Sequence, residues 1–111
     1  MVFIESRAFT RRLHELAGAS ADSVLQAIEG DLLRNPESGN VVPGLGGIRK
    51  ARSTNPNRGK GKRGGYRYLH LYLARRNHVH LLFLLDKNEQ EDLTPDERKS
   101  LRRMVVELKS L

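Results

Sequence analysis

Apolar residues recur along this chain in two rhythms, and the change from one to the other marks its elements. Val2 to Ile4 is a short apolar run that predicts a first strand. Ser6 is suited to cap a helix in which Phe9, Leu13 and Leu16 recur three and four residues apart, and Gly18 is placed to end it. Ser20 is suited to cap a second helix with Ala21, Leu25, Ile28 and Leu32 on one face. Asn35-Pro36 stops that helix, because the residue before proline disfavours helical geometry. Glu37 to Gly47 reads as loop with a Pro43-Gly44 turn, Ile48 to Arg52 as a short strand, and Ser53 to Gly65 as a polar, glycine-rich loop.

At Tyr66 the rhythm changes from helical spacing to alternation. Tyr66, Tyr68, His70 and Tyr72 share one face, and Arg67, Leu69, Leu71 and Leu73 share the other. Arg75-Arg76-Asn77 turns the chain into His78 to Leu85, where Val79, Leu81, Phe83 and Leu85 alternate. These two segments predict an antiparallel hairpin, with Leu69, Leu71, Val79, Leu81 and Phe83 buried against Phe9, Leu13, Leu25 and Ile28. Thr94-Pro95-Asp96-Glu97 is a helix start with a capping box, followed by an apolar stripe of Leu101, Met104, Val105 and Leu108. The order β-α-α-β-β-β-α is α+β rather than alternating α/β. At 111 residues, with no internal repeat and no linker, it predicts one domain spanning residues 1–111.

Charge sharpens the picture. The net charge is +7 and the isoelectric point about 10.2. Between Ser38 and Leu85 there is no Asp or Glu, and that stretch carries Arg49, Lys50, Arg52, Arg58, Lys60, Lys62, Arg63, Arg67, Arg75 and Arg76. A basic middle between near-neutral ends is the footprint of a polyanion binder. Its densest part is Arg58-Gly59-Lys60-Gly61-Lys62-Arg63-Gly64-Gly65-Tyr66-Arg67. The cations supply donors for phosphate, the glycines allow close approach, and Tyr66 and Tyr68 offer rings on which unpaired bases could stack. Arg49, Lys50, Arg52, Arg58 and Arg63 join them as candidate RNA contacts.

Other chemistries fit less well. There is no cysteine, which excludes disulfides and thiolate metal sites. No apolar run reaches the roughly 18 residues of a membrane span, and the N-terminus lacks a secretory pattern, so a soluble, cytoplasmic protein is expected. Gly59-Lys60-Gly61-Lys62-Arg63-Gly64 matches a dinucleotide pattern formally, but its glycines lead into a strand instead of opening a helix. His70, His78 and His80 are expected on one face of the hairpin. Their spacing fits no standard zinc site, so no metal or other cofactor is expected. His70 is a candidate general acid or base because its face also carries the tyrosines.

Gly46-Gly47-Ile48-Arg49-Lys50-Ala51-Arg52, the glycine-rich basic run through Arg67, Lys87-Asn88-Glu89 and Asp92-Leu93-Thr94 together resemble the HigB-type toxins of the RelE/ParE toxin–antitoxin superfamily. The resemblance covers nearly the whole chain. It implies a compact RelE-like fold, a mainly antiparallel sheet with two helices packed on one side. It implies a metal-independent endoribonuclease that cleaves mRNA on the ribosome and inhibits translation, with Lys60, Lys62, Arg67 and Lys87 at the catalytic positions. It also implies a cognate antitoxin, usually a helix-turn-helix protein. The sequence departs from relatives at Leu85 and Asp86 and, relative to the RelE branch, at Asn88 and Thr94. Two alternatives stand beside the nuclease: a non-enzymatic nucleic-acid- or ribosome-binding module, and a ParE-like toxin directed at DNA gyrase.

Overall fold

The structure, a computed structural model, describes residues 1–53, 65–86 and 92–111. Its elements are β1 (Val2–Glu5), α1 (Arg7–Ala17), α2 (Ala21–Arg34), β2 (Asn40–Val41), β3 (Arg49–Arg52), β4 (Tyr66–Leu73), β5 (His78–Asp86) and α3 (Pro95–Ser110). The five strands form one sheet in the order β1-β5-β4-β3-β2. All neighbours are antiparallel except β1 and β5, which are parallel. The architecture is the expected α+β arrangement with one added strand. β2 falls where the sequence reads as loop, because it is two exposed residues held only by their pairing with β3.

The caps follow local chemistry with one exception. Ser6 Oγ accepts from Phe9 N at 3.0 Å and donates to Leu82 O at 2.7 Å, so it starts α1 and ties it to the sheet. At α3, Thr94 and Glu97 close the capping box in both directions. Ser20 makes no side-chain cap. Gly18, at φ +52°, leads into a single 3₁₀ turn that runs directly into α2, so the backbone turn takes the place of the expected cap.

Alternation along β4 is as expected, but the face that meets α1 and α2 is the aromatic one. Tyr66 and Tyr68 pack with Ala51, Val79, Leu81 and Leu84 against Phe9, Leu13, Ala21, Val24, Ile28 and Leu32. Leu25 is only half-buried beside this cluster. Leu69 and Leu71, expected beneath α1 and α2, lie on the opposite face with Leu45, Ile48 and Leu82, under Leu101 and Val105 of α3. A register shift separates Leu69↔Phe83 from His70↔Leu81, which leaves Leu82 without an opposite residue. This bulge splits the apolar alternation of β5. Val79 and Leu81 stay on the α1–α2 side, whereas Phe83 moves to the α3 side. Both faces are core, and each needs its own cover.

The free edge of β5 beyond β1 is covered by side chains. Arg12 Nε donates to Leu84 O at 3.2 Å, and the Arg12 guanidinium lies 5.7 Å from the centre of the Phe83 ring. Capped carbonyls make a strand edge a poor template for further pairing. No helix among the described residues is long and apolar enough to cross a membrane.

Candidate nucleic-acid groove

The register of β3 against β4 decides which cations meet. Arg52 lies opposite Arg67 and Lys50 opposite Leu69. Opposite residues in a sheet share a face, so Lys50, Arg52 and Arg67 project on the side that carries α3. Toward the Arg52–Arg67 end of the hairpin that face is a concavity of about 570 Å³. Its floor is Lys50, Ala51, Arg52 and Arg67, and its wall is Ser38, Gly39 and Asn40. A smaller concavity of about 260 Å³ shares Asn40 and Lys50 and runs on toward Asp92, Leu93 and Arg98.

Arg52 and Arg67 are a like-charged cross-strand pair, an arrangement that is destabilising unless something compensates it. Neither has a carboxylate partner among the described residues. Two arginines opposite one another at the same open groove, with no acid lining it among the described residues, make a site for an anion able to accept several hydrogen bonds.

The wall is built from behind the sheet. Arg49 faces the α1–α2 side, away from the groove. Its guanidinium donates to Gly39 O at 3.0 Å and pairs with Glu37 Oε2 at 3.3 Å. Arg49, expected among the RNA contacts, thus lies on the opposite face from Lys50, Arg52 and Arg67 and is engaged with Gly39 O and the Glu37 carboxylate. His70 is fully buried, and its Nε2 donates to Ser38 O at 2.8 Å. Burial lowers its pKa below the usual 6.5 and Arg49 lowers it further, partly offset by the Ser38 contact. A sealed, neutral imidazole across the sheet from the groove cannot serve as its acid or base. His78 and His80 face the other way from His70, in register with Leu73 and Leu71, with their rings 6.2 Å apart. No group of three metal-ligating side chains occurs among the described residues.

Tyr66 and Tyr68, expected as exposed stacking rings, are buried instead. Tyr66 is 3% exposed and its hydroxyl donates to Leu16 O at 3.2 Å. Tyr68 is fully buried, and burial, with the Asp31 charge, pushes its phenol pKa well above the ordinary value. Neither ring presents a face to a base, because the aromatic side of β4 is the floor of the α1–α2 core. The wall residues Ser38, Gly39 and Asn40 were not singled out from the sequence. They are a polar loop in sequence and become a wall only through β2 pairing.

Arg58, Lys60, Lys62, Arg63 and Lys87 lie outside the described residues. The residues that flank them are defined. Ser53 N donates to Tyr66 O at 2.7 Å, and Tyr66 lies opposite Asp86. Ser53, Tyr66 and Asp86 therefore lie side by side at the Arg52–Arg67 end of the sheet. A different concavity, about 500 Å³ between α1 and α3, has mixed charge from Arg11, Arg12, Glu15, Asp96 and Glu97, and lacks the one-sided cationic character of the groove.

The family model described as "RelE toxin of RelE / RelB toxin-antitoxin system" matches residues 6–111. The chain belongs to the RelE toxin family. It is a toxin of a type II toxin–antitoxin system, and a RelE/RelB pairing implies a RelB-type antitoxin as its partner. Two solved structures share the fold of this RelE-family toxin. The free-state E. coli RelE toxin carrying two arginine-to-alanine substitutions is 12% identical, with a TM-score of 0.58 over 93% of this chain and 94% of that one. The isolated E. coli RelE toxin is also 12% identical, with a TM-score of 0.56 over 93% of this chain and 97% of that one.

Proposed function

We propose that this RelE-family toxin is a ribosome-dependent mRNA endoribonuclease of the HigB type, and that the groove floored by Lys50, Arg52 and Arg67 receives the RNA strand at the cut, with Arg67 at the scissile phosphate. The observation that carries this reading is the Arg52–Arg67 couple, directly opposite across β3 and β4 at an open groove and without a carboxylate partner among the described residues. Membership of the family supports the activity class.

Cleavage proceeds by attack of the 2′-oxygen on phosphorus. A base takes the 2′-hydroxyl proton, the new P–O bond forms, the P–O5′ bond breaks, and an acid delivers a proton to the departing 5′-oxygen. The products are a 2′,3′-cyclic phosphate and a free 5′-hydroxyl. No step calls for a metal ion. Arg67, fixed on a strand, suits stabilisation of the phosphorane, because its planar cationic fork can contact two oxygens at once. Lys60, with Lys62 and Arg63 close by in sequence to disfavour its protonated form, is assigned as the base, and Lys62 or Lys87 as the acid. Lys50, Arg52, Arg58 and Arg63 hold flanking phosphates. The ribosome supplies the orientation of a flexible strand that a small basic groove lacks. The antitoxin, in this reading a helix-turn-helix protein, silences the toxin by covering the cationic, acid-free stretch of the chain with complementary charge.

The test is 5′-end mapping of transcripts after induction, with purified protein assayed in parallel on naked RNA and on translating ribosomes. Cuts confined to translated mRNA, and insensitive to EDTA beyond its effect on ribosomes, are expected. Intact mRNA with DNA damage would instead establish the gyrase-directed alternative. Intact mRNA with ribosome binding would establish a non-enzymatic module.

A further inference from the structure

Cations that hold phosphates carry no sequence information, because every nucleotide presents the same phosphate. The groove also contains a side chain of another kind. Asn40 is exposed on β2, directly opposite Lys50 and on the same face. With Lys50, it lines both concavities. Its amide has no hydrogen-bond partner among the described residues. An amide presents a donor and an acceptor side by side, which is the pairing needed to read a base edge.

The backbone before Asn40 is fixed with unusual care for a two-residue edge strand. Ser38 O is held by the buried His70, and Gly39 O by Arg49. Gly39 has φ +89° and lies so close to β3 that a Cβ there would collide with the Lys50 carbonyl. Burying His70 leaves its Nδ1 without a partner, so the anchor itself is costly. Sites that discriminate need such support, because a side chain on a loose loop adapts to any base.

We propose that Asn40 is a specificity-determining residue that hydrogen-bonds the edge of an unpaired nucleobase, in the strand whose phosphate rests on Arg52 and Arg67. Lys50 and Arg52 are two residues apart on β3, about 7 Å. The phosphate on Arg52 and the base on Asn40 therefore belong to the same or adjoining nucleotides. The inference rests on the nuclease reading above.

The experiment compares parent, N40A, N40D and R52A by 5′-end mapping on translating ribosomes, with thermal melts to confirm folding. N40A is expected to flatten base preference at one position near the cut about tenfold or more, while cutting at disfavoured sites persists. N40D, which loses the donor and keeps the acceptor, is expected to change which base is preferred there. R52A is expected to weaken cutting at all sites alike. If N40A does not fold, N40S takes its place. An active Asn40 variant with the parental preference profile overturns this proposal alone. A parent that cuts nothing overturns it together with the nuclease reading.

Discussion

Arg67→Ala should separate function from stability, because the structure gives the two effects different sizes. In the fold, Arg67 faces Arg52 across the β3–β4 ladder and has no carboxylate partner among the described residues. Like charges directly opposite in a sheet are destabilising by about 0.2–1 kcal/mol. Removing Arg67 relieves that repulsion and gives up the packing of a half-buried stem, so net stability should change by less than about 1 kcal/mol. Catalysis should respond far more. A preorganised donor aimed at developing negative charge is worth about 10²–10³ in rate, or about 3–4 kcal/mol. Arg67→Lys keeps the charge, loses the bidentate fork, and should fall between the two. The assay pairs urea unfolding of each variant with single-turnover cleavage on saturating ribosomes, where differences in binding drop out. Arg52→Ala serves as the comparison: similar stability, weaker binding with a shallower salt dependence, and a chemical step close to parental. A variant at Arg67 that loses more than about 2 kcal/mol of stability yet cleaves at the parental rate once bound would show that the residue is structural, and the reasoning would fail.

Three further outcomes follow from the fold. Gly39→Ala forces a side chain into a φ of +89° against the Lys50 carbonyl; it should cost at least about 2 kcal/mol in denaturant unfolding, and an unaffected midpoint would mean that the wall is looser than described. Thr94→Ala removes half of the α3 capping box and should lower stability by about 1 kcal/mol, measurable as a reduced melting temperature that Thr94→Ser largely restores. His70 is buried neutral with its pKa below 6.5, so below pH 6.5 the unfolded chain binds more protons; stability is full above that pH and falls as pH drops toward the folded-state pKa, by at most about 1.4 kcal/mol per pH unit per group. Unfolding midpoints at pH 7.5 and pH 5.0 should therefore differ less in His70→Gln than in the parent, with His80, also lowered chiefly by burial, retaining part of the slope.

The local patterns of the sequence determined a great deal. Helical spacing at Phe9, Leu13 and Ile28, the chemistry of Ser6 and of Thr94-Pro95-Asp96-Glu97, and the alternation from Tyr66 to Leu73 each act over a few residues, and each element formed as its pattern required. The acid-free stretch marked the cationic region for the same reason, since charge is a property of composition. Tertiary structure decided what lies across from what. Alternation states that Tyr66 and Tyr68 share a face, but not that α1 and α2 will cover that face while α3 covers Leu69 and Leu71. The unpaired Leu82 shifted the phase of β5 partway along, which no period-two reading of that strand alone reveals. Arg49, Arg52 and Arg67 look equivalent in sequence. The pleat of β3 sends Arg49 behind the sheet to hold Gly39, and the register of β3 on β4 sets Arg52 beside Arg67 in the groove. Asn40 carries no local signal at all. It reaches the groove only because a buried histidine, an arginine and a glycine, drawn from three separate segments, fix the backbone that precedes it.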